Sequence, residues 1–131
     1  MLVTAAGLRL RRELPALFPA GAYRPLATEV TVPAGAIAFA RMTEAVDRAQ
    51  EAVIFVAPRL CARIAGNQRP APLGGDDWMT SRLFLPPELR DRTFRHAITG
   101  AEIRPTHTGD SAWIFLGEAF RTLPVGMLRA V

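Results

Sequence analysis

Residues 10–41 read LRRELPALFPAGAYRPLATEVTVPAGAIAFAR, and the change of period inside them decides the fold. Leu10, Leu14 and Leu17 are spaced as one face of a helix. Pro15 disfavours α geometry at Leu14, so the regular helix is expected to end there. A turn is expected at 19–21. Beyond it the pattern becomes extended. Strands are predicted over 22–26, over 29–32 and over 36–41, with a turn at 33–35. In the second of these, Val30 and Val32 alternate with Glu29 and Thr31.

Towards the N-terminus, Val3 and Ala6 extend the same apolar stripe, and Arg9, Arg12 and Glu13 lie outside it. Thr4 is the expected N-cap. About eleven residues is marginal for an isolated helix, so the stripe needs a surface to pack on. Towards the C-terminus, 42–50 reads as a polar connection. Residues 51–57 give the strongest strand. Val53 to Val56 is apolar on both faces, which predicts a central strand covered on both sides. A shorter strand carrying Cys61 is expected over 60–65, then a Gly- and Pro-rich loop over 66–77.

The β pattern resumes over 78–85. It continues over 92–99, where Phe94, His96 and Ile98 share a face, and returns over 102–104 after a turn at Thr99-Gly100. A loop follows over 105–110. Residues 111–116 form a further strand with Trp113 and Phe115 on one face, and a closing strand lies near 124–128. The sum is a mainly β chain: an antiparallel β-sandwich of about eight short strands with one N-terminal α-helix. It divides into a helical segment, 1–20, and a β domain, 21–131.

Composition narrows the function. The chain has 131 residues, half of them hydrophobic, which suits one globular unit. The net charge is +4 and every basic residue is Arg. The arginines are scattered from Arg9 to Arg129, a solvated surface rather than the patch or stripe of a nucleic-acid footprint. Cys61 stands alone, which excludes an intrachain disulfide and a multi-Cys metal site; a small buried hydrophobe is its expected role. No apolar run approaches the ~18 residues of a membrane span. Met1 to Leu8 lacks the leading positive charges of a secretory signal, so a cytoplasmic location is expected.

The chemistry-bearing residues do not assemble in sequence. His96, His107 and Cys61 are far apart and none has the spacing of a zinc site. His96, beside Phe94 and Ile98, reads as a packed histidine. His107, Asp110 and Ser111 are the residue types of a hydrolase triad, but one short loop cannot present them as separate elements do. Asp76-Asp77, in a glycine loop, reads as a solvated turn rather than a glycosidase pair. No Gly-rich phosphate loop is present. No catalytic residue, cofactor site or metal site is therefore expected. Trp78, Trp113 and Tyr23 are the candidate contacts for a sugar ring; large aromatics in a small β domain also serve as core.

One family ties these segments together. The segments at 8–18, 21–26, 38–41 and 52–56 resemble the end of an α-amylase-superfamily enzyme, where the last helix of a (β/α)₈ barrel runs into an antiparallel β domain. Within that superfamily the chain is similar to maltooligosyltrehalose synthase. Val56-Ala57-Pro58-Arg59-Leu60, Ala62-Arg63, Pro72-Leu73-Gly74, Trp78, Leu83-Phe84-Leu85-Pro86, Ile98-Thr99-Gly100 and Leu123-Pro124-Val125 carry the resemblance along the whole chain. Two places depart from it. Met79-Thr80-Ser81 stands where the family tends to have Asp-Thr, and His96-Ala97-Ile98 stands where it tends to have an Asp before Leu-Thr-Gly. The resemblance implies a parent reaction that converts the terminal α-1,4 bond of a maltooligosaccharide to an α,α-1,1 bond. It places the catalytic Asp, Glu and Asp on the barrel, so no residue here inherits their roles. It also implies a partner: a barrel, in the same chain or separate, docked on Val3, Ala6, Leu10, Leu14 and Leu17. Without a barrel, the helix is expected to fold back on the sandwich, to fray, or to bury its stripe in a second copy. An α-glucan-binding module is the alternative reading.

Overall fold

A computed structural model of the chain describes residues 1–31, 35–44, 50–59, 78 and 80–131. Three α-helical segments occur among them: α1 (Leu2–Glu13), α2 (Leu17–Ala20) and α3 (Leu116–Ala119). The strands are β1 (Ala22–Leu26), β2 (Thr28–Glu29), β3 (Gly35–Met42), β4 (Ala52–Arg59), β5 (Arg82–Phe84), β6 (Phe94–His96), β7 (Glu102–Ile103), β8 (Thr106–Thr108), β9 (Ser111–Phe115) and β10 (Gly126–Ala130). They make two antiparallel sheets, ordered β1-β3-β4-β10-β6-β7 and β2-β5-β9-β8. The mainly β expectation holds, with ten strands among the described residues instead of about eight. The expected strand and loop over 60–77, and most of the connection over 42–50, lie outside the described residues.

Residues 10–41 behave much as their period dictates. Helix α1 stops at Glu13, and the Leu14 N–H still bonds to the Leu10 carbonyl at 2.8 Å. Arg11 and Arg12 occupy its last turn, where cations meet the negative end of the helix dipole. The helix starts earlier than expected: Met1 is the N-cap, and no side chain caps it. Thr4 thus lies inside the helix. β1 and β2 are separated by Ala27 alone, yet they belong to different sheets. The chain turns this corner with the Ala27 carbonyl bonded to the Phe84 N–H at 3.0 Å. The second strand is Thr28–Glu29, paired with Leu83 and Arg82 of β5, and starts one residue before the expected 29–32; Val32 and the expected turn residues 33 and 34 lie outside the described residues.

The long β3–β4 ladder runs from Gly35↔Arg59 to Met42↔Ala52. Two of its inward pairs set a small residue against a branched one, Ala38 facing Val56 and Ala40 facing Ile54, and the next sets Met42 against Ala52. The buried core between the sheets sets these against Trp78, Leu83, Leu89, Phe94, Ile114, Phe120 and Leu128. Trp78 and Phe120 meet edge to face, their ring centroids 5.1 Å apart.

β4 is central, as its apolar run predicts. Its outward residue Val53 joins Met127 of β10 in a second apolar cluster with Ala6, Leu10, Leu14 and Leu17. The helix therefore folds back on the outer face of its own sheet. Arg129 of β10 clasps Glu13 at 2.9 Å near the helix end. Val3 of the stripe stays 38% exposed. One segment departs from its period. Leu116, expected as the end of a strand, begins α3, where Leu116, Ala119 and Phe120 recur at helical spacing and all three are buried.

Candidate functional site

The sequence-selected aromatics occupy three different places. Trp78 is in a turn between the sheets and is 0% exposed, so it offers no face to a sugar. Its indole Nε1 finds no hydrogen-bond acceptor among the described residues.

Trp113 lies on the outer face of the four-stranded sheet. Leu83 and Ile114 pair across β5 and β9 and point into the core, so Arg82, Phe84, Trp113 and Phe115 point out. Phe84 is opposite Trp113, and Arg82 is opposite Phe115. The Arg82 guanidinium carbon sits 4.9 Å from the Trp113 ring centroid and 5.4 Å from that of Phe84. Its Nη2 donates to Glu29 Oε1 at 2.6 Å, which fixes it over the rings. Trp113 is left 8% exposed. A sugar would have to displace Arg82 to stack there.

Tyr23 is 58% exposed and lies on the outer face of the six-stranded sheet. Its ring lies 5.0 Å from Phe39, tilted by 34°; Phe39 stacks on Phe55 at 5.1 Å, and Phe55 meets Phe18 at 6.2 Å. The ladder crosses β1, β3 and β4 and ends under α2. Ile37, two residues before Phe39 on the same strand face, is 53% exposed. The Arg41 side chain, also on this face, donates to the Phe18 carbonyl and holds α2 to the sheet. Beyond α2 the ladder has one open end, at Tyr23, Phe39 and Ile37.

The titratable groups are arranged differently again. His96 is buried on β6 at the floor of a cleft of about 280 Å³, whose rim carries Thr99, Glu102, Glu118 and Arg121. Its Nδ1 is 3.2 Å from the Ile98 N–H, and its Nε2 is 3.2 Å from the Val125 carbonyl. An N–H can only donate and a carbonyl can only accept, so the ring is neutral with its proton on Nε2. Burial pushes its pKa below the ordinary histidine value, against smaller opposing contributions from the Val125 and Ala119 carbonyls. The shared face expected for Phe94, His96 and Ile98 is kept only by the first two. Gly100, at φ +77°, turns the chain, and Ile98 packs on the α1 cluster on the other side of the sheet.

No triad forms. Thr108 pairs with Ser111 and His107 with Ala112, so His107 and Ser111 project to opposite faces. His107 Nε2 instead meets the Arg90 carbonyl and lies 3.4 Å from Asp91. Elsewhere on the surface, Arg24 donates to Glu88 at 2.7 Å and holds that carboxyl below its usual range. Cys61 and the Asp76-Asp77 pair lie outside the described residues. Among the described residues no three His, Cys, Asp or Glu side chains gather as a metal site, and no helix is long and apolar enough to cross a membrane.

Phe39, Arg82 and the cleft rim were not singled out from sequence. Phe39 was legible as the outward member of an alternating strand. Arg82 and Glu29 are 53 residues apart and meet only through the β2–β5 pairing. The chain matches no family model, and neither a curated protein nor a solved structure matches it.

Proposed function

We propose that this chain is the non-catalytic C-terminal β domain of a maltooligosyltrehalose synthase-like enzyme of the α-amylase superfamily. The parent activity is a cytoplasmic isomerase reaction of trehalose biosynthesis, an intramolecular glucosyl transfer carried out on a glycoside-hydrolase-type barrel. The observation that carries the reading is the order and spacing of the resembling segments along the whole chain. Several of the described ones are strands or lead into strands. Ala38 to Arg41 lie in β3, Ala52 to Val56 in β4, Leu83 and Phe84 in β5, and Leu123 to Val125 lead into β10.

The test is a domain exchange. A synthase barrel whose own C-terminal domain is replaced by this chain should convert maltopentaose to its trehalosyl isomer, and the chain alone should not. The reading fails if the isolated chain performs the conversion. It also fails if the hybrid is dead while the barrel's own domain rescues it.

The open end of the Tyr23–Phe39 ladder favours a second reading, an α-glucan contact, because an exposed ring beside apolar neighbours can stack on a pyranose. Trp113, beneath Arg82, is the poorer platform. Maltooligosaccharide titration should then shift the Tyr23 and Phe39 ring resonances and leave those of Trp78 unmoved. No shift up to millimolar sugar would remove this reading.

A further inference from the structure

The turn that follows β6 is held by its own histidine. Ile98 donates its backbone N–H to His96 Nδ1, Gly100 donates to the His96 carbonyl at 2.8 Å, and Ala101 donates to Thr99 Oγ1 at 3.3 Å. The same turn touches the helix layer: Ala97 and Ile98 pack against the cluster of Ala6, Leu10, Leu14, Leu17, Val53 and Met127. Ala97 also donates to the Met127 carbonyl at 2.7 Å. On the ring's other side, Nε2–H reaches Val125, the residue just before β10. One imidazole thus joins the turn under α1 to the segment entering β10.

We propose that His96 is a proton-operated latch: neutral, it pins the 97–100 turn beneath α1, and protonated, it releases the turn and loosens the helix. The chemistry is local. A proton added at Nδ1 points directly at the Ile98 N–H, so an acceptor becomes a donor facing a donor. The buried imidazolium must then either turn away or draw in water, and in both cases the Ile98 bond is lost. Among the described residues the charged groups near the ring are few. Glu102 of β7, Glu118 of α3 and Arg121 after it line the same cleft. Arg95 and Arg129 pair on the opposite sheet face, where Arg129 is committed to Glu13. Leu128, opposite His96 on β10, carries no charge. An imidazolium turned outward would meet both signs of charge there, Glu102 and Glu118 against Arg121.

The experiment follows amide exchange and the His96 ring signal by NMR on the whole chain from pH 7.5 downward until the ring titrates, with exchange expressed as protection factors so that intrinsic pH dependence cancels; a ring that stays neutral until the whole chain unfolds would overturn the latch. In the wild type, protection at Ile98 should fall about tenfold as the His96 ring titrates, and protection along α1 should fall with it. The variant His96→Asn can accept the Ile98 N–H as an Asx turn and does not titrate, so its protection should be flat. His107→Asn should behave as the wild type. Unchanged Ile98 and α1 protection through the wild-type ring titration would overturn the latch. So would a fall that persists in His96→Asn, since Glu102 and Glu118 would then be its cause. The wild-type titration decides the matter even if the Asn variant does not fold.

Discussion

The two faces of the six-stranded sheet are built from the same strands and end up differently. The inner face is closed by a second sheet, with Ala40, Ile54 and Leu128 fully buried. Among the described residues the outer face is covered by the twelve-residue α1 and the short α2, which shield Val53, Phe55 and Met127 and leave Tyr23 and Ile37 in solvent. β4 shows the contrast within one strand, for Ala52, Ile54 and Val56 look into the sandwich while Val53 and Phe55 look at helices. The two sheets enclose the larger buried cluster, and the helices add a smaller one on the outside. Losing a contact in the core leaves a cavity that two sheets cannot collapse; losing one in the layer lets a short helix shift or lift.

The largest effect should come from the core. Phe120→Ala removes the partner of Trp78 and should cost about 3–5 kcal/mol, read as a lower denaturation midpoint with the slope unchanged. Leu14→Ala, in the helix layer, should cost about 2 kcal/mol, at the low end for such truncations, because α1 can lift instead of preserving the void. Its mark should be lost amide protection confined to α1 while β4 and β10 stay protected. A cost equal to that of Phe120→Ala, with β4 exposed as well, would show the two layers to be one cooperative unit. Gly126→Ala probes the strand that both layers share. An added Cβ would lie 2.6 Å from Val56 Cγ1, a stiff β-branched neighbour, so overpacking should cost about 1–3 kcal/mol.

The pH dependence is a smaller lever. The folded state depresses the His96 pKa, so folding favours the neutral ring. Its contribution is fully present above the unfolded value near about 6.5 and is lost as pH falls through the lower folded value. Denaturation midpoints of the wild type should therefore drop across that window more steeply than those of His96→Asn. The smallest effect belongs to the uncovered outer face: Ile37→Thr should change stability by no more than about 0.5 kcal/mol. A large loss there would mean that the open end of the aromatic ladder is structural rather than free surface.

Much of this architecture is legible in the chain itself. The period change across residues 10–41 gives a helix ending just before Pro15 and strands after it, because Pro geometry and side-chain alternation are local properties. The doubly apolar run Val53 to Val56 gives a central strand for the same reason. The corner at Ala27 was not legible, nor was α3, where one helical turn follows a strand without a break signal. The candidate surfaces were legible only as residue types. Trp78, Trp113 and Tyr23 look equivalent in sequence; the fold puts the first in the core, the second under an arginine, and the third in solvent. His96 was legible as packed, but its grip on Ile98 requires the turn at Gly100.

Local periodicity was enough for most of the elements, for the mainly β class and for the stripe Val3, Ala6, Leu10, Leu14, Leu17, which called for cover. What covers Ala6 to Leu17 came from the fold: the outer face of β4 and β10, residues that lie some forty to one hundred and twenty positions further along. Periodicity records that a face is apolar. It holds no information about which distant face completes it, since burial is non-directional and any apolar surface of suitable shape would serve.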